Sequence, residues 1–197
     1  MNAKKKTTRN LSGQTDVDAS LSTQPAVERR SAEAQLQALI EKHTPEHSKL
    51  ISATRRCLRK RLPTAHELIY EYRDFIVISF SPNEHGYEGV LAIRASADCV
   101  GLHFNRGKEL SDPEKLLKGT GKLVRSIELK GASTLTRPEV SRLIDEAIAR
   151  NIVPFANAGR GAVTMRSQPA KKPAPSKPSK PSGDNVGART AKAKKKN

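Results

Sequence analysis

The densest single chemistry in the chain is cationic, and it lies at Arg55-Arg-Cys-Leu-Arg-Lys-Arg61. At helical spacing Arg55 stands beside Arg59 and Arg56 beside Lys60. A row of cations on adjacent turns of one helix can grip phosphates. The competing reading is a solvated helix face whose cations complement the dipole near a helix C-terminus. A second concentration closes the chain: Lys171, Lys172, Lys177, Lys180, Arg189, Lys192, Lys194, Lys195 and Lys196 stand among Pro, Ser and Ala. A flexible polycation of this kind gains affinity for nucleic acid by releasing counterions, so its binding falls steeply with salt and takes little notice of sequence. Its competing reading is a solubilising tail with no dedicated partner. Base stacking on the tails is not expected, because they contain almost no aromatic residues.

The remaining candidates are weaker. Gly119-Thr-Gly-Lys122 invites comparison with a phosphate loop, since amides near glycines cradle anions. It lacks the GxxxxGK[ST] spacing, and a helix C-cap at Gly119 with a tight turn at Gly121 accounts for both glycines without a ligand. His43 and His47 are four apart, but Thr44-Pro45 breaks the helix between them, so they do not form a helical zinc pair. Cys57 and Cys99 stand in no CxxC or ligand spacing and are expected as free thiols of a reducing, cytoplasmic compartment. Cys99, His103 and Lys122 are the polar residues expected to gather if the fold has a pocket. No catalytic constellation is found, and neither a cofactor nor a metal is expected.

The charge is unevenly distributed. The whole chain of 197 residues has a formal net charge of +16. Residues 1–30 hold six basic and three acidic side chains, residues 156–197 hold 11 and one, and residues 31–155 hold 19 and 16. Most of the excess therefore belongs to the C-terminal stretch, which points to an electrostatic partner, nucleic acid or another polyanion, for an appendage. Apolar periodicity is confined to residues 31–155, and about 125 residues suffice for one core. Residues 1–30 and 156–197 are expected to be disordered tails, the second partly polyproline-like. No apolar run follows Lys4-Lys5-Lys6 and none approaches 18 residues, so neither a secretory signal nor a membrane span is expected.

The elements between the tails follow from period and caps. Leu36, Leu39 and Ile40 recur at helical spacing behind a Ser31 cap. Thr44-Pro45 opens a second helix with an apolar stripe of Leu50, Ile51, Thr54 and Leu58, extended by Cys57, and Pro63 closes it. Strands are expected at 67–72, 75–80, 87–95 and 100–104, the last two as a hairpin, and at 123–130. Capping boxes at Ser111-Asp-Pro-Glu114 and Thr136-Arg-Pro-Glu139 predict a short helix and a closing helix. Strands clustered between helices argue an α+β fold, a mainly antiparallel sheet packed against helices.

The stretch Gly107-Lys-Glu-Leu-Ser-Asp-Pro-Glu-Lys-Leu-Leu-Lys-Gly-Thr-Gly-Lys-Leu-Val-Arg125 resembles the YdhG-like family, domain of unknown function 1801. The likeness is carried by a loop, a short helix and Gly-Thr-Gly-Lys before a basic strand, and it is expected to extend over residues 34–150. The resemblance implies an accessory or binding module. The alternative it offers is a small-molecule or metal-handling domain of the iron-chaperone type. That activity calls for an exposed carboxylate cluster, whereas the second helix here is basic. The chain also departs from the family at Cys99-Val-Gly-Leu-His-Phe104, where many members read His-Val-Asn-Leu-Gly-Phe, and at Ser126, where His is common.

Overall fold

In the computed structural model, which describes residues 24–166, three helices and six strands form one α+β unit. The helices are α1 (Ala26–Glu41), α2 (Pro45–Arg61) and α3 (Pro138–Ala149). The strands are β1 (His66–Glu71), β2 (Phe75–Ser81), β3 (Leu91–Ser96), β4 (Val100–Phe104), β5 (Arg125–Glu128) and β6 (Val163–Arg166). They make one sheet in the order β5-β4-β3-β2-β1-β6. Every pairing is antiparallel except that of β1 with β6. No helix among the described residues is long and apolar enough to cross a membrane.

Alternation of side chains along the strands sets the core. Ile76, Ile78 and Phe80 of β2 align with Leu91, Ile93 and Ala95 of β3, and these with Val100, Leu102 and Phe104 of β4. All nine are buried in one cluster with Leu36, Ile40, Ile51 and Leu58 of the first two helices and Val140, Leu143 and Ile144 of α3. Residues of opposite parity, such as Val77, Arg94 and His103, face the other way. Part of that second face is covered by the segment linking β2 to β3, where Gly86 lies against Tyr70 and Leu68, and Gly89 against Ser79.

The α2 start behaves as its sequence signals. Thr44 Oγ1 accepts the His47 amide at 3.3 Å, and Pro45 takes the first helical position. Ser48 Oγ then donates to the Ile40 carbonyl at 2.7 Å, fastening α2 to the end of α1.

Four expectations are corrected. Ser31 lies inside α1, which starts at Ala26 behind Pro25; Ala-Val-Glu-Arg-Arg30 are mostly good helix formers that extend it backwards. The short helix at Ser111 does not form. Asp112 instead turns both carboxylate oxygens onto the Leu116 and Leu117 amides, at 2.9 and 2.8 Å, and Lys115 adopts a positive φ of 54°. A carboxylate able to bond amides locally competes with helix. At the closing helix, Thr136 Oγ1 donates to the Ser133 carbonyl rather than capping, and α3 starts at Pro138 without a side-chain cap. Finally, the fold exceeds residues 31–155 at both ends, because α1 begins earlier and β6 joins the sheet beside β1. Two smaller differences concern strands: 87–95 shortens to Leu91–Ser96 behind a 3-10 turn at Gly86–Glu88, and 123–130 shortens to Arg125–Glu128.

The tails expected to be disordered fall largely outside the described residues. So do Lys171, Lys172, Lys177, Lys180, Lys192, Lys194, Lys195 and Lys196.

Candidate polyanion-binding groove

The cationic row of α2 divides into two sets. Arg55 and Arg59 turn inward onto two carboxylates, Glu33 of α1 and Glu67 of β1. Arg55 lies 2.8 Å from Glu33 and 2.5 Å from Glu67; Arg59 lies 2.9 Å from Glu33 and 3.2 Å from Glu67. Each cation thus bridges both anions. The Glu67 side chain is 3% exposed and that of Arg55 14%. The charges are removed from water, so each needs the others.

The electrostatics agree with the geometry. Burial would push the Glu33 carboxyl up, but the hydrogen bonds and charges of Arg55 and Arg59 outweigh it and hold the group below the usual glutamate value. Burial also opposes the charge on Arg55, and Glu33 and Glu67 more than restore it, leaving the guanidinium raised. The expectation that Arg55 and Arg59 face solvent beside Arg56 and Lys60 is therefore corrected. They link α2 to α1 and β1. Arg61 is also engaged, donating to the Ser141 carbonyl at 3.1 Å and pairing with Asp145 at 2.5 Å.

Arg56 and Lys60 form the second set. Both are exposed, one turn apart, and neither has a hydrogen bond or ion pair among the described residues. They stand on the rim of an open groove of about 600 Å³ whose floor includes Arg55, Arg59 and Ile40. The opposite rim is Gly159 and Arg160, on the approach to β6. Arg160 is exposed too.

Arg160 was not found by sequence reasoning, because it lies about 100 positions from Arg56 in a stretch without periodicity. It is placed by contacts on both sides. Gly161 packs so closely on the Ala65 carbonyl that a Cβ there would collide with it. The Arg29 guanidinium donates to the Gly161 carbonyl at 2.5 Å. Gln24 clamps the next strand residue, donating to the Val163 carbonyl at 2.6 Å and accepting the Val163 amide at 2.9 Å. Arg29 is itself part of the cationic cluster: burial, and then the like charges of Arg160 and Arg59, lower its affinity for its proton. Four arginines and a lysine around two carboxylates, with Arg160 opposite, leave the groove electropositive.

The three residues expected to share a pocket do not meet. Cys99 lies in the β3–β4 turn, its Sγ 3.6 Å from Ser96 Oγ. His103 is four residues along β4, roughly 13 Å away by strand rise, between Ala92 and Ser126. Burial, and then Arg94, lower its tendency to protonate. Lys122 stands at the far end, in a loop closed by the bridge between Lys118 and Ser126. Arg125 ties that loop by donating to the Gly121 and Val124 carbonyls, both at 2.7 Å. Gly119 holds a positive φ of 119°, as a turn residue, but no helix precedes it to be capped.

A much smaller space of about 20 Å³ between the end of β4 and α3 has its charges paired at its edges, Arg106 with Glu109 and Arg150 with Glu146. Among the described residues no group of three or more His, Cys, Asp or Glu side chains is placed to hold a metal ion. No family model matches the chain, and neither a curated protein nor a solved structure matches it.

Proposed function

We propose that this protein is a non-enzymatic accessory module that associates with nucleic acid without reading its sequence. In this reading phosphates enter the α1–α2 groove and the basic ends of the chain add further contacts. The observation that carries it is the meeting of Arg56, Lys60 and Arg160 around one groove with no partner ions of their own among the described residues. Fixed cations held together against their mutual repulsion gain free energy when an anion enters.

The chain's path supports the same reading. Gln24 is bonded directly to Val163, so the first and last described segments meet at the β6 edge of the sheet. Residues 167–197 carry nine basic side chains against Asp184. In this reading that charge supplies a second contact, effectively intramolecular once the groove is occupied. The proposal includes a cytoplasmic setting, for which the free thiols of Cys57 and Cys99 speak. A YdhG-like relationship also belongs to it; it rests on residues 107–125, where the expected short helix is replaced by the Asp112 turn.

The test is the salt dependence of binding by the full chain to generic duplex. Replacing Arg56, Lys60 and Arg160 together by Gln should lower the slope of log K against log salt by about 2 to 3. Replacing the eight tail lysines by Gln should lower it further. Salt-independent binding, or a rim variant with an unchanged slope, overturns the groove reading.

A further inference from the structure

We propose that the loop of residues 107–125 docks on the surface of an anionic lipid bilayer. Its surface combines two aliphatic side chains with four lysines. Leu123 and Val124 are consecutive and 48% and 44% exposed, among the large apolar residues that the described fold leaves in water. Lys108, Lys115, Lys118 and Lys122 are exposed in the same loop. The Lys108 amide donates to the Leu123 carbonyl at 2.9 Å, and Lys122 precedes Leu123 in sequence. The Lys118 ammonium donates to the Lys115 carbonyl at 3.4 Å, and none of the four lysines makes an ion pair among the described residues. Nearby carboxylates do not cancel this charge. Glu109 is taken by Arg106, Glu114 by Arg142, and Asp112 by two amides. Glu128 is exposed, but at the opposite end of β5 from Arg125.

The loop is anchored before anything binds. Leu110, Leu116 and Leu117 pack against the core, whereas Leu123 and Val124 stay outside. Lys118 and Ser126 exchange amide-to-carbonyl bonds at 2.8 and 2.9 Å. Arg125 holds the Gly121 and Val124 carbonyls. Aliphatic groups fixed in this way lose little freedom when they are covered.

Phosphates of nucleic acid, an acidic protein surface and anionic headgroups all attract lysines, and the composition of the loop favours the headgroups. Nucleic acid phosphates gain nothing from Leu123 and Val124. Protein interfaces favour arginine and are depleted in lysine. Here the exposed cations are lysines, while Arg106 and Arg125 are bonded within the loop. A bilayer uses both parts. Headgroups take the ammonium groups, and the boundary with the acyl chains takes the two aliphatics. The loop lies at the β5 edge of the sheet, and Arg160 approaches the β6 edge, about 24 Å away across six strands. Docking is therefore independent of the groove, and both surfaces can be occupied at once.

Residues 167–197 also carry cations, so the test must read position as well as binding. The chain contains no tryptophan, so a single indole reports its own surroundings. On mixing full-length Leu123→Trp with phosphatidylserine vesicles, the emission should move to shorter wavelength. Val27→Trp, at an exposed position on α1, the helix that packs beside β6, should not shift. Neither should shift with phosphatidylcholine vesicles. Replacing Leu123 and Val124 together by Ser should weaken binding to phosphatidylserine vesicles about 5- to 30-fold and leave affinity for duplex unchanged. Equal melting temperatures show that the exposed pair is not needed for folding; if the Ser pair lowers the melting temperature, the two Trp variants decide. The proposal is overturned if vesicles bind while Leu123→Trp stays unshifted, or if Val27→Trp shifts equally. It is also overturned if the Ser pair weakens vesicles and duplex alike, which would make the loop a general polyanion surface. A chain that binds duplex but no vesicle removes the docking surface and leaves the groove reading standing.

Discussion

Arg55 and Arg56 are neighbours in sequence, as are Arg59 and Lys60, yet the members of each pair do different work. Arg55 and Arg59 close a ring with Glu33 and Glu67 in which every charge has opposite charges within 3.2 Å. Arg56 and Lys60, about 100° further round the helix, face an open groove without ions of their own among the described residues. The same residue type on the same helix is structural on one face and available on the next. What separates them is not charge but whether a carboxylate is buried opposite. Glu67 decides it: on β1, beside β6, its side chain is 3% exposed, and a carboxylate so placed needs the guanidinium pair as partners.

The sharpest way to break that comparison is to remove Glu67. Glu67→Ala leaves Arg55 buried without one of its two counterions and opens space under α2. Truncating one member of a buried ion pair costs about 3 to 5 kcal/mol. We expect a loss of that order in denaturant-induced unfolding, together with a lower thermal midpoint. A cost under about 1 kcal/mol would mean that the ring is not structural, and the contrast with the rim would disappear.

Acid offers a gentler perturbation of the same ring. The Glu33 carboxyl is held below the ordinary glutamate value of 4.5 in the folded chain. A depressed acid stabilises the fold fully above its unfolded value and loses that contribution as pH falls through its folded value. Thermal stability should therefore be independent of Glu33 ionisation above about pH 5 and decline below 4.5. In Glu33→Gln the starting stability should be lower and the acid decline shallower. An identical acid limb in both chains would show that Arg55 and Arg59 do not act through Glu33.

How much of this the sequence displays depends on whether a feature is local. The α2 start is legible because Thr44 and Pro45 act on their own turn, and β2, β3 and β4 are legible because apolar residues recur at alternate positions within each strand. β6 is not legible: Val163 is its one buried position, with Met165 half-buried, and its place is set by Gln24, 139 residues away. The capping pattern at Ser111 misleads because the Asp112 carboxylate takes the Leu116 and Leu117 amides, four and five residues on, and bends the segment into a turn. The basic row was visible at once, but its division was not, since Glu33 and Glu67 lie 22 and 12 residues from Arg55 and nothing local marks them as partners. Tyr87 was read as the start of a strand; only the 3-10 turn at Gly86–Glu88 exposes it.

The smallest effect on stability is expected at the rim, and it completes the contrast. Arg56 and Lys60 are exposed and make no ion pair among the described residues, so replacing both by Gln removes no buried contact. Their charge also sits near the C-terminal end of α2, where its favourable interaction with the helix dipole is opposed by repulsion from Arg59 and Arg61. These contributions are small and of opposite sign, so the double variant should unfold within about 0.5 kcal/mol of the wild type. Binding should respond differently: each lost phosphate contact removes close to one unit from the salt slope on duplex. A double variant with unchanged stability and a slope lower by about 2 separates recognition from folding on one helix. If it instead loses stability as Glu67→Ala does, Arg56 and Lys60 belong with Arg55 and Arg59, and the groove has no free rim.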